Sequence, residues 1–292
     1  MAHADGSAGT GWAPVSPCTA SCAPGVPAPG PGTWIRVAGR AIGTAVALAV
    51  AAATAPLLTL TPPPVRGQWL RATCRTVLAA AGVTVRVHGT DAAAPPFGGA
   101  GSLVVANHVS WIEALALCSV APVRVLAKRE VGGWPVIGPV AAATGVVFID
   151  RRRLRLLPRT VAEMAAALRA GHTIAAFPEG TTWCGAAAGP FRRAAFQAAL
   201  DAGVPVRPVA VALTSRGRPA PEAAFVGGQS LLGSVARILR LPALACELTV
   251  LPALAPEGTR SELAARAAAA IALATGVPHG HRRVLVPMPA AS

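Results

Sequence analysis

Hydrophobic and polar positions divide the chain into stretches of different character. Residues 1 to 32 mix Gly, Ala, Pro and Ser with no apolar period (GWAPVSPCTASCAPGVPAPGPG within them). Such a composition cannot build a core, and a disordered tail is expected there. It lacks a charged segment opening into an apolar run, which argues against a cleaved signal peptide. Next comes AIGTAVALAVAAATAPLLTL, residues 41 to 60, without a single charge. It is about long enough to cross a bilayer. Its Ala content weakens the apolar signal and Pro56 predicts a kink, so a spanning helix and an embedded, non-crossing one both fit. Arg36 and Arg40 precede it, and Arg66, Arg71 and Arg75 follow it. With both flanks basic, charge gives no orientation. WLRATCRTVLAAAG, residues 69 to 82, predicts a second helix with Arg on one side, suited to a membrane surface.

From Val83 the period changes. VTVRVHG, GSLVVAN, VRVLA, GVVFI, TIAAFP and VPVRPVAVAL are short, mostly continuous apolar runs, as in strands of a sheet covered on both faces. Between them WIEALALCS, PRTVAEMAAALRAG and RRAAFQAALDAG predict helices, with Gly171 and Gly203 where helix C-caps belong. SLLGSVARILRL and SELAARAAAAIALATG predict later helices. This alternation predicts an α/β domain with a mixed, mostly parallel sheet flanked by helices. The domain is expected over residues 83 to 278. Hydrophobic membrane-associating helices (33 to 82) precede it, and a loose tail (279 to 292) follows.

Charge narrows the partners. The chain of 292 residues carries 26 Lys+Arg against 12 Asp+Glu, a formal net charge of +14. Such a surface attracts the phosphates of nucleic acid or of anionic lipid. Tyr is absent and aromatics are 4% of the chain. That disfavours nucleic acid, whose single-strand binders stack bases on rings. The six cysteines are mostly scattered, and no second close pair matches Cys18 and Cys22. They read as free thiols in a reducing compartment, not as a disulfide frame or zinc site.

Candidate chemistry lies at strand ends. NHVSWIE, residues 107 to 113, follows the strand GSLVVAN, so His108 stands at a carboxyl end, where open α/β sheets place ligands. His108 and Glu113 can meet only if His108 precedes the helix and Glu113 lies in its first turn. Ser110 and Glu113 also fit a capping box S-x-x-E. Two readings therefore stand here: a local cap, or a general base with its orienting acid. GVVFIDRRR (145 to 153) ends a strand in Asp150 and three arginines, which suit phosphate or form a solvated basic turn. FPEGTT (177 to 182) gathers a carboxylate, a free-angled Gly and two hydroxyls at another strand end. There is no G-x-S-x-G elbow, H-E-x-x-H helix or P-loop, which argues against ordinary lipases, zinc proteases and P-loop enzymes.

NHVSWIE, GVVFIDR, FPEGTT and VPVRPVAV, in this order and spacing, resemble the four blocks of the glycerolipid acyltransferases. AKREVGGWPVIGPVAAATG and GPFRRAAFQAA between them fit as well. The resemblance is strong over residues 83 to 215 and weak from there to about 275. It implies that His108 is the general base on a lysolipid hydroxyl and that Glu113 orients it. It implies that Arg151 holds the acceptor phosphate, and that Glu179 and Gly180 help bind the acceptor. Asn107, Ser110, Lys128, Thr181 and Arg192 complete the expected substrate-binding set. The family usually carries Asp where this chain has Glu113, one methylene longer with the same charge. The implied reaction is O-acylation of 1-acyl-sn-glycerol-3-phosphate by acyl-CoA or acyl carrier protein. No metal or prosthetic group is implied, and the implied setting is an anionic membrane, on its cytoplasmic face. Another lysolipid acceptor such as lyso-ornithine lipid, or a non-catalytic lipid-binding role, is the alternative. A hydrolase using Ser110 is disfavoured, because Ser110 lies two residues from His108 without an elbow.

Overall fold

The computed structural model describes residues 14–26, 30–89, 96–97, 101–134, 137–150 and 153–280. The apolar run forms helix α1 (Pro31–Thr54), which passes into a 3-10 turn (Ala55–Leu60) at Pro56. The second predicted helix is α2 (Pro63–Ala80). The expected α/β alternation follows: β1 (Val83–His88), β2 (Ser102–Ala106), α3 (Ile112–Val120), β3 (Arg124–Lys128), α4 (Ile137–Ala143), β4 (Val147–Ile149), α5 (Leu157–Arg169), β5 (Thr173–Ala176), α6 (Ala194–Ala202) and β6 (Val206–Ser215). Then come β7 (Arg218–Pro219), α7 (Leu231–Arg240), β8 (Leu244–Val250) and α8 (Arg260–Thr275). Gly171 and Gly203 have φ of +84° and +65°, as helix-ending glycines do.

The sheet runs β1-β8-β6-β2-β5-β3-β4, with β7 paired to β6. Strands β6, β2, β5, β3 and β4 are mutually parallel, so their carboxyl ends lie along one edge. β8 runs antiparallel to β6 and parallel to β1. All five residues of β2 are buried. Val104 and Ala106 pack into one core with α2, α3 and α7, while Leu103 and Val105 pack into another with α5, α6 and α8. Burial on both faces is why β2 reads as a continuous apolar run.

Four readings of the sequence change. β8 had no strand signal, because Glu247 interrupts it. Strands remote in sequence satisfy that carboxylate: Arg86 donates to it at 2.9 Å, His88 lies 2.8 Å away and Thr214 donates at 3.2 Å. α2 turns two of its three arginines toward the domain, for the Nε groups of Arg71 and Arg75 donate to the Ser119 carbonyl at the end of α3 (3.3 and 2.9 Å). The expected N-terminal tail is packed over residues 14–26, where Cys18 and Ala23 are buried in the core, and α1 starts inside its boundary at Pro31. At the other end, His279 belongs to the domain and not to a tail, with its side chain 2% exposed.

α1 has two faces. Val37, Thr44, Ala51, Ala55 and Leu58 are buried at helical spacing. On another side Ile35, Ile42, Val46, Val50, Leu57 and Leu60 are exposed. By length and composition, residues Gly32–Leu60 would suffice to cross a membrane. Arg40 ties the helix to the domain by donating to the carbonyls of Leu239 and Leu241 (3.1 and 2.7 Å) beyond α7.

Candidate active site

Strand β2 stops because Asn107 finishes its pairing with a side chain. The Asn107 amide accepts from the Val211 N–H (2.8 Å) and donates to the Val211 carbonyl (2.9 Å), mimicking one more strand residue. The main chain is then free to leave the sheet, and His108 emerges at the carboxyl edge. Its neighbours hold it firmly. The His108 N–H donates to Glu179 Oε2 (2.8 Å), and its carbonyl accepts from Trp183 N–H (2.7 Å). The Val109 carbonyl accepts from Phe225 N–H at 2.9 Å. The imidazole stacks on Phe177, at the end of β5, with ring centroids 4.2 Å apart.

Glu113 is fully buried in the first turn of α3. Its Oε1 lies 2.7 Å from His108 Nδ1 and also accepts from the N–H groups of Val109 (2.6 Å) and Ser110 (2.7 Å). The extra methylene of Glu therefore does not prevent contact with the imidazole. A helix N-terminus favours the anion. A carboxylate on Nδ1 fixes the proton there and leaves Nε2 as the basic nitrogen. The His108 side chain is 20% exposed, while its partner acid is sealed. This is the geometry of a general base with an orienting acid, and nothing in it supplies an enzyme nucleophile.

The capping box is only half made. α3 starts one residue later than the pattern suggested, with Trp111 as N-cap and no side-chain cap bond. The Ser110 hydroxyl is buried without a hydrogen-bond partner. Glu113 thus serves the loop and the imidazole together.

A family model described as "Acyltransferase" matches residues 84–212, the stretch from β1 into β6. A lyso-ornithine lipid O-acyltransferase of Pseudomonas aeruginosa is 36% identical over 221 residues, covering 74% of this chain and 81% of the relative. The chain belongs to the acyltransferase family. A 1-acyl-sn-glycerol-3-phosphate acyltransferase of Neisseria gonorrhoeae is 35% identical over 144 residues, covering 48% of this chain and 56% of that protein. The crystal structure of the 1-acyl-sn-glycerophosphate acyltransferase PlsC from Thermotoga maritima has the same fold, with a TM-score of 0.63 at 17% identity, covering 84% of this chain and 95% of that one.

In this acyltransferase the remaining expected site residues differ in burial. Asn107, Ser110 and Glu179 are buried; the Asn107 and Glu179 side chains hold backbone groups, whereas the Ser110 hydroxyl makes no hydrogen bond. Glu179 differs most from expectation: besides the His108 N–H it accepts from Gly189 N–H (3.1 Å), so both oxygens hold backbone. It positions His108. Gly180 takes the left-handed conformation (φ +76°) that turns the chain after Glu179. Thr181 is half-buried beside it, and Thr182 donates to the Phe225 carbonyl. Lys128 and Arg192 are exposed. Lys128 ends β3, and Arg192 anchors its N–H on the Pro178 carbonyl (2.8 Å). Arg151 lies outside the described residues. Asp150 just before it, at the end of β4, sits 3.5 Å from Arg129 and 3.8 Å from Arg153.

Sequence reasoning missed His279. Its Nδ1 lies 3.0 Å from the Gly189 carbonyl and 3.3 Å from Glu179 Oε1, and its ring meets Phe191 edge-on at 4.6 Å. No local pattern marks it, because its partners lie about ninety residues earlier.

Proposed function

We propose that the acyltransferase moves a fatty acyl group from an acyl thioester to the free hydroxyl of a lysolipid at a membrane, with 1-acyl-sn-glycerol-3-phosphate as acceptor. The observation that carries this is the His108–Glu113 pair at the carboxyl edge of the sheet, with the acid buried and the base open. An alcohol is a poor nucleophile at neutral pH. His108 Nε2 removes its proton as the oxygen attacks the thioester carbonyl, and Glu113 balances the imidazolium that forms. Collapse of the tetrahedral intermediate breaks the C–S bond, the imidazolium returns its proton to the departing sulfur, and the ester and the free thiol of coenzyme A or acyl carrier protein remain. The acceptor phosphate falls to Arg151. β4, which precedes it, is three strand spacings from β2, roughly 14 Å, with β5 and β3 between, and on this reading the acceptor spans that part of the edge.

The breadth of the match to the Pseudomonas relative favours a second acceptor, a lyso-ornithine lipid. Purified protein given labelled acyl-CoA and each acceptor separates the two by product. Release of free fatty acid without acceptor product would refute acyl transfer.

Attachment to the membrane is assigned to the exposed face of α1. Transferring a fully exposed Val, Leu or Ile side chain out of water gains about 1.5–3 kcal/mol. Six such residues, more than half exposed, therefore gain on the order of 10 kcal/mol. The opposite face of α1 packs on the protein, which supports embedding alongside the domain over crossing in isolation. Deleting residues 1 to 82 is a poor test, since Leu70, Cys74 and Leu78 of α2 belong to the core. Replacing Ile42, Val46 and Val50 together with Gln tests the assignment: the folded variant moves to the soluble fraction, and full membrane retention refutes it.

A further inference from the structure

A close pair of thiols near the N-terminus and a third that is remote in sequence converge beside the loop that carries His108. The Sγ atoms of Cys18, Cys22 and Cys184 all lie within 4.8 Å of one another. Cys18 and Cys22 come from the N-terminal segment, and Cys184 follows Trp183, whose N–H donates to the His108 carbonyl. We propose that these three cysteines form a thiolate site for a zinc-class divalent cation, which fastens the N-terminal segment across the loop that follows Glu179.

The donor set and spacing fit such an ion. Cys18 and Cys22 are separated by three residues, within the C-x2–4-C range of zinc sites. Tetrahedral Zn–S bonds of about 2.3 Å put sulfurs about 3.8 Å apart, so closure requires a contraction of about 1 Å at most. The Cys18 N–H donates to the Ser16 hydroxyl at 3.2 Å, which fixes the turn that carries the thiol. Cys18 and Cys184 are buried in a core shared with Val109, Phe177 and Trp183, whereas Cys22 is partly exposed. Two ligands are thus shielded, and the third opens a fourth position to water. Binding exchanges protons only: three thiols and one M²⁺ give a tris-thiolate of net charge −1 and release three protons to solvent.

The segment's own fold explains the use of a fastener. Its one regular element is a 3-10 turn, Ala20–Cys22, and its backbone hydrogen bonds are local, such as Cys22 N–H to the Thr19 carbonyl (3.0 Å). Yet it lies close on the domain. A Cβ on Gly180 would come within 2.8 Å of Pro14, and one on Gly227 within 2.5 Å of the Ala20 nitrogen. A metal bridging Cys184 to Cys18 and Cys22 would hold this segment against the Glu179–Gly180 turn.

The test uses the full chain, purified in detergent under anaerobic reducing conditions and titrated with Co²⁺ as a spectroscopic stand-in for zinc. One equivalent binds, with thiolate-to-cobalt charge-transfer absorption and the visible bands of a tetrahedral site. Cys22→Ser weakens binding at least tenfold, Cys22→His restores it with shifted bands, and Cys74→Ala, in α2, leaves it unchanged. Metal also slows proteinase K cleavage within residues 14–26. The proposal is overturned by the absence of a charge-transfer band at one equivalent, or by the same band in a folded Cys18→Ala/Cys184→Ala variant. It is equally overturned if freshly isolated protein carries a disulfide from Cys184 to Cys18 or Cys22 in place of metal.

Discussion

Glu113→Gln separates the two jobs proposed for Glu113, bracing the loop and charging the His108 imidazole. Its Oε1 accepts from three N–H groups, those of Val109, Ser110 and the His108 ring. A glutamine carbonyl can accept from all three, so the shape of the loop survives. What disappears is the charge. With charge centres about 4 Å apart and an effective dielectric constant near 20, a buried carboxylate stabilises an imidazolium by about 4 kcal/mol. At about 1.4 kcal/mol per tenfold, and allowing for partial solvent access to His108, kcat should fall on the order of 10²–10³-fold. Stability should move less. Hydrogen bonds to the neutral amide are weaker, and its NH2 falls where Glu113 Oε2 has no partner. Removing a buried charge offsets part of that cost, which is about 1–3 kcal/mol for an unsatisfied group. The melting temperature should therefore drop by a few degrees. Glu113→Asp keeps the anion and should retain substantial activity despite its shorter reach. The assay is kcat with saturating acyl-CoA and lysophosphatidic acid for all three proteins, well below their melting points. A Gln variant turning over at the wild-type rate would refute the catalytic role and leave Glu113 as a loop brace alone.

His108→Ala should fold and lose on the order of 10²–10⁴-fold in activity; near-normal turnover in a folded variant would defeat the mechanism. Arg151→Lys keeps charge but loses the bidentate fork, so KM for lysophosphatidic acid should rise more than KM for the acyl donor; an unchanged acceptor KM in Arg151→Ala rules the role out. Glu247 gives a pH signature. Burial disfavours its ionised form, but hydrogen bonds from His88, Arg86 and Thr214 prevail and hold its pKa below the usual value. A depressed folded pKa adds stability above the unfolded Glu pKa of about 4.3, and that increment is lost as pH falls through the folded value. Wild type should therefore melt above Glu247→Gln at pH 7, with the gap narrowing in acid; a gap that does not narrow as pH falls well below the unfolded value contradicts the argument.

The sequence by itself carried the local features. The uncharged run of α1, the two-sided apolar runs of β2 and β5, the helix-ending Gly171 and Gly203, and the placing of His108 at a strand end all follow from periods and residue types within a few positions. The blocks around His108, Asp150, Glu179 and Val206 pointed to the family for the same reason, since each is a short strand end with its own chemistry. The tertiary structure decided whatever depends on partners remote along the chain. Glu247 breaks the pattern of β8 and becomes tolerable only when β1 and β6 bring Arg86, His88 and Thr214 to it. Glu179 looked like a turn carboxylate facing the acceptor, yet folding places it under His108, with Gly189 and His279 supplied from farther along the chain. Whether Glu113 only braces the loop or also meets the imidazole needed the His108 Nδ1 distance, because the same four-residue pattern allows both. The N-terminal segment lacks the apolar period that announces a core element. Its burial rests on Cys18 and Ala23 inserted into a core built by the rest of the chain, which no window of neighbouring residues records.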